Sequence, residues 1–235
     1  MQNIVLTAEQ VITIRRRNRN PDVAIGPDTH FYDLKRLKSY KKAVNFFNKR
    51  IKDRYFAVGE QLSKRKKHKS GDIFIVMILN CIIIDFLSQY CYGLEAQKSE
   101  KFKEFFNTYL SQYNLEIKPS IKSCSFSPNG RWKRVKIKNI AEALYHGFRC
   151  SLIHSGIISE YGRINEKYKK AIEIKSWESN KTKRDIIVNP PLLLEELKKT
   201  FKQYIHKLRY SKNSNLRDNF NKRFEFDYGV KITKP

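Results

Sequence analysis

Arg149 and His154, in the stretch FRCSLIHSG (148–156), are the residues whose types and spacing carry the plainest chemistry. An imidazole titrates near neutrality, so it can take or give a proton at physiological pH. A guanidinium stays charged, and its planar fork matches phosphate oxygens. Together they supply the two parts needed to break an RNA phosphodiester through its own 2′-hydroxyl. The base removes the hydroxyl proton, and the fixed cation holds the negative charge of the phosphorane. No metal is needed for that step. Short motifs of this kind also arise by chance, and a lone His at a helix margin is commonly structural. Spacing alone leaves both readings open.

The element that must position the pair is a helix beginning near Asn139 and stopping at Ser155-Gly156, with Gly suited to the left-handed C-terminal position. On a wheel of about 100° per residue, Ile140, Ala141, Leu144, Tyr145, Phe148 and Leu152 fill one apolar arc. Arg149 falls past one edge of that arc and His154 past the other. An i, i+5 pair does not share a helical face, so the wheel calls for a bend after His154 or for a second chain facing the first.

Upstream, apolar residues recur at helical spacing from Thr29 to about Val58, with Gly59 as a stop. An apolar helix follows from Asp72 to Tyr92, and a third near Glu100 to Tyr113 turns Phe102, Phe105 and Phe106 inward. Asp85 lies within the apolar helix, with Asn80 five residues before it. A buried carboxylate needs a cation or a backbone donor. Asp85 therefore either orients Arg149 or His154, or makes a structural pair elsewhere. The segment with Pro119, Pro128, Asn129 and Gly130, carrying SCSFSPNGRWK, reads as a loop. After the motif, residues 171–190 read as a β-hairpin (AIEIKSW and DIIVNP around a turn), and Pro190-Pro191 opens a last long helix. Tyr145 and Tyr161 flank the motif and serve either as core aromatics or as base-stacking surfaces. The organisation expected is a basic arm over residues 1–27, a helical domain over 28–210 and a basic tail over 211–235. The fold class is mainly α with a small β-hairpin insertion.

Charge points to a polyanionic partner. Lys and Arg number 48 against 23 Asp and Glu, a formal balance of +25, which favours nucleic acid or an anionic surface. A solvated lysine-rich surface would give the same count. Three basic runs are candidates for phosphate contacts that position RNA without reading its sequence. They are Arg15, Arg16 and Arg17; Lys64, Arg65, Lys66 and Lys67; and Arg131, Lys133 and Arg134 with Trp132 among them. The four cysteines form neither a CxxC pair nor a zinc-spaced set with His, so no metal or cofactor is expected. The N-terminus lacks the pattern of a secretion signal, and the apolar run 73–84 is interrupted by Asn80. It reads as a buried core helix rather than a membrane span. A cytoplasmic location is expected.

The stretch YHGFRCSLIHSGIISEYGRI resembles the Arg-x4-His signature of the HEPN superfamily (higher eukaryotes and prokaryotes nucleotide-binding), nearest its branch of prokaryotic ribonuclease toxins and defence proteins. CIIIDFLSQYCYG (81–93) is similar to that family's second core helix, and the likeness spans about residues 28–210. The resemblance implies an up-and-down helical bundle that dimerises through the motif region and cuts RNA without metal. Two motif segments would converge in a shared cleft, with Arg149 and His154 as the catalytic pair and Asp85, Asn80, Cys150 and Tyr161 in support. It also implies a toxin or phage-defence setting, with an antitoxin or defence-system partner. A non-catalytic nucleic-acid-binding module, or a regulatory partner binding a nucleotide or protein, is the alternative. Cys150 departs from the pattern, because many members carry Asn, Asp or His directly after the Arg.

Overall fold

The computed structural model describes residues 39–65, 70–96, 98–126, 132–176, 183–211 and 214–233. It is mainly helical with two small sheets. The basic arm, with Arg15, Arg16 and Arg17, lies outside the described residues, as do Lys66, Lys67 and Arg131.

Helix α1 (Tyr40–Ile51) buries Tyr40, Ala43, Val44, Phe47 and Ile51, one stripe at helical spacing. It continues through a widened π turn, Lys52–Phe56, into α2 (Ala57–Ser63). Gly59 does not stop this helix as expected. It sits inside α2, where an added Cβ would come 2.7 Å from a methyl of Leu194. Helix α3 (Ser70–Tyr92) is the apolar helix of the sequence. Residues 71–92 are long and apolar enough to cross a membrane, yet 61% of their most apolar window is buried within the protein. The helix ends at Gly93, whose φ of +61° and 2.9 Å approach to Asn219 leave no room for a side chain. Helix α4 (Ser99–Tyr109) buries Phe102, Phe105 and Phe106 as expected.

The described residues of the segment read as a loop belong instead to a long antiparallel ribbon, β1 (Glu116–Phe126) paired with β2 (Trp132–Asn139). Asn139 then caps the next helix, its side chain accepting from the Glu142 N–H at 2.9 Å. Glu142 reaches back to the Lys138 N–H at 2.7 Å. This helix has three parts: α5 (Ile140–Ala143), a π turn (Leu144–Cys150) and α6 (Ser151–Ser155). A small sheet of order β3-β5-β4 follows, with β3 (Gly162–Ile164) parallel to β5 (Arg184–Val188) and β4 (Ile172–Ser176) antiparallel to it. The expected hairpin is the β4–β5 pair.

Helix α7 (Pro190–Tyr210) opens on proline under an Asn189 cap, as the sequence suggests. The expected basic tail is largely a helix, α8 (Ser214–Tyr228). Its Leu216, Phe220, Phe224 and Tyr228 join the core, because apolar residues every fourth position outweigh the polar composition between them. Phe47, Tyr90, Phe201, Tyr204 and Phe220 meet ring to ring where α1, α3, α7 and α8 converge.

Candidate active site

Asp85 comes from the middle of α3, and Arg149 and His154 from the π turn and α6 packed beside it. Arg149 Nε donates to Asp85 Oδ2 at 2.8 Å, and the two side chains are only 15% and 12% exposed. Arg149 Nη1 lies 3.4 Å from His154 Nε2. The guanidinium also sits over the Tyr145 ring, 5.7 Å from its centroid. Asp85 thus fixes the inner edge of the guanidinium, Tyr145 one face, and the outer edge meets the exposed His154.

The helical wheel set Arg149 and His154 on opposite margins and left a bend after His154 or a second chain to unite them; their separation within one chain is corrected. One chain brings them together. The physical reason is the π turn through Leu144–Cys150. Its i→i+5 bonding widens the turn, which a wheel of constant 100° does not follow. The Ser151 hydroxyl donates to the His146 carbonyl at 3.0 Å, a side-chain bond across the same five-residue interval. Gly156, at φ +69°, ends α6 directly after the pair.

Electrostatics divides the roles. Burial lowers the affinity of Arg149 for its proton, but the charge and hydrogen bond of Asp85 outweigh it, and the net shift is upward. Arg149 is a permanent cation. Burial pushes the Asp85 carboxyl up, with Arg149 pulling it back down. Burial and then the neighbouring Arg149 charge lower the pKa of His154 below the usual histidine range. A neutral imidazole at neutral pH has a lone pair to accept a proton.

The other candidates fall into place around this triad. Asn80 is fully buried and donates to the Pro190 carbonyl at 2.9 Å, tying α3 to the start of α7. Tyr161 is a core residue rather than a stacking surface, 3% exposed, with its hydroxyl donating to the Ala143 carbonyl at 3.4 Å. Its ring packs on Gly147 of the π turn. Cys150 is buried; burial raises its pKa, while Arg149 and Tyr145 within hydrogen-bonding reach partly offset the rise. It is therefore a neutral thiol behind the guanidinium. Lys64 is exposed at the end of α2, and Arg65 pairs with Asp72 at 3.3 Å. Trp132 and Lys133 begin strand β2, and Arg134 is exposed on it. The ribbon also brings up Lys122 and Lys136, and Lys122 was hidden in the sequence by the loop reading of its segment. Among the described residues, no group of three or more His, Cys, Asp or Glu side chains is placed to hold a metal ion.

No family model, curated protein or solved structure matches the chain.

Proposed function

We propose that the protein is an endoribonuclease of HEPN type, acting without metal through Arg149 and His154. The observation that carries this reading is the 3.4 Å approach of Arg149 Nη1 to His154 Nε2, with Asp85 holding the arginine from behind. A phosphate oxygen seated at that edge accepts from the guanidinium while the imidazole faces the adjacent ribose. His154 removes the 2′-hydroxyl proton, O2′ bonds to phosphorus, and the P–O5′ bond breaks. The leaving oxygen takes up a proton, giving a 2′,3′-cyclic phosphate and a 5′-hydroxyl. Arg149 stabilises the charge that accumulates between these events.

The likeness of the motif extends the proposal to a homodimer and to a toxin or phage-defence setting in the cytoplasm, with an antitoxin or defence-system partner. Because the Arg–His contact is complete in one chain, a dimer would set two such pairs side by side rather than assemble one.

The test is cleavage of a labelled RNA in excess EDTA by wild type, Arg149→Ala and His154→Ala. Loss of about 10²–10⁴-fold in each variant is expected, the range of a general base or a preorganised charge. Cleavage abolished by EDTA, or undiminished in both folded variants, overturns the proposal. Binding of RNA with no cleavage under any condition favours the non-catalytic module instead, and the buried Cys150 beside Arg149 is the feature that agrees with that reading.

A further inference from the structure

The β1–β2 ribbon and the loop 157–160 line an open cavity of about 690 Å³ beside the motif helix. Its wall includes Ser151, which precedes His154 by three residues in α6. Residues at that helical spacing have Cβ atoms about 5–6 Å apart on one face. The cavity therefore begins one helical turn from the candidate base, and its far wall is the loop that leaves His154.

The ribbon register puts Lys122 directly opposite Lys136 and Cys124 opposite Arg134. With side chains alternating along a strand, these four share one face. Lys122, Arg134 and Lys136 are exposed, and all three line the cavity, where Glu160 is the one acidic residue among the described residues. Like charges directly opposite each other across an antiparallel pair destabilise the sheet. The ribbon thus carries a concentrated positive face whose repulsion a bound anion would relieve. Ile157 and Ile158 of the facing loop add an apolar surface, with Ile157 58% exposed, and Ser159 adds a hydroxyl. Cations, an apolar wall and a hydroxyl group are what a nucleotide requires: phosphate on the first, base on the second, sugar or base edge on the third. An acidic peptide would use the cations and leave the apolar wall empty.

We infer that this cavity is a subsite for a nucleotide of single-stranded RNA, next to the phosphate held at Arg149 and His154. The choice of ligand rests on the ribonuclease reading, while the charge and shape of the cavity do not. The ribbon then serves as the guide that feeds the strand to the pair.

A fluorescent 2′-O-methyl oligonucleotide, which lacks the attacking hydroxyl, tests the subsite by anisotropy. Lys136→Glu is expected to weaken binding on the order of tenfold and to flatten the salt dependence by about 0.7 in log–log slope for each phosphate the variant no longer neutralises. It should not lower Tm, since a carboxylate then faces Lys122 and replaces repulsion by attraction. Arg134→Glu is expected to weaken binding similarly, and Lys202→Glu, an exposed charge on α7 outside the cavity, to bind as wild type does. Unchanged affinity in Lys136→Glu and Arg134→Glu, or equal weakening in Lys202→Glu, overturns the subsite. Cleavage of natural RNA with unchanged KM in Lys136→Glu also overturns it and leaves the catalytic proposal standing. Weakened oligonucleotide binding in Lys136→Glu of a protein that cuts no RNA supports the subsite and removes the catalytic proposal.

Discussion

His154 gains its poise from Arg149, and that dependence can be measured directly. Two effects lower the imidazole pKa: partial burial first, and the adjacent guanidinium charge second. The sign is fixed, because both disfavour the protonated ring. By NMR, the midpoint for His154 is expected below the ordinary histidine value of about 6.5. In Arg149→Gln the charge goes and the burial stays, so the midpoint should rise toward that value without passing it. A midpoint at or above the ordinary value in wild type, or no rise in the variant, means the 3.4 Å contact is not kept in solution. The same shift predicts the rate profile. If His154 acts as base, kcat/KM climbs as pH rises through the lowered midpoint and is level by neutrality. Asp85 enters indirectly: its hydrogen bond to Nε at 2.8 Å fixes which edge of the guanidinium faces the imidazole.

The π turn makes that contact, and it depends on Gly147. A Cβ there would fall on the Tyr161 hydroxyl and lie 2.6 Å from two ring carbons, inside a side chain that is 3% exposed. Gly147→Ala is expected to destabilise by about 1–3 kcal/mol through overpacking, with Tm falling roughly 2–4 °C per kcal/mol for a chain of this size. Thermal melting reads it, and an unchanged Tm would mean that Tyr161 does not pack on the turn. The turn itself is not legible in the sequence, because π bonding leaves no signature in residue spacing. The wheel found the right apolar stripe, yet misjudged the angle between Arg149 inside the irregular turn and His154 beyond it. The ribbon was missed for another reason. Pro119, Pro128 and Asn129-Gly130 mark turns, and they concealed the strand pairing of Lys122 with Lys136. Helices α3, α4 and α7 and the β4–β5 hairpin were legible because their caps, stops and apolar periods agree. Arg149, Asp85 and His154 were recognisable as candidates, but their order in space was not.

The last described helix, α8, supports the helix that carries Asp85. Phe220 of α8 is fully buried, with its ring 5.8 Å from that of Tyr40, 5.4 Å from Phe47 and 5.5 Å from Tyr90. Tyr90 also donates to Asp227 Oδ2 at 2.8 Å, and Arg223 donates to the Leu94 carbonyl at 2.6 Å, so α8 is tied to the C-terminal end of α3 by packing and by polar bonds. Helix α3 is the element that carries Asp85. A loosened α8 should therefore reach the guanidinium through α3, although no residue of α8 lines the site. Phe220→Ala removes a ring from the centre of this packing and is expected to cost about 3–5 kcal/mol, a large share of the roughly 5–15 kcal/mol that holds a domain together. Urea unfolding measures the loss as a fall in midpoint at constant slope. A chain ended at residue 213 forfeits Leu216, Phe220, Phe224 and Tyr228 together and is expected to lose its near-UV circular dichroism. If that shortened chain instead unfolds at the midpoint of the full one, α8 is an appendage and the support of Asp85 comes from α4 and α7 alone.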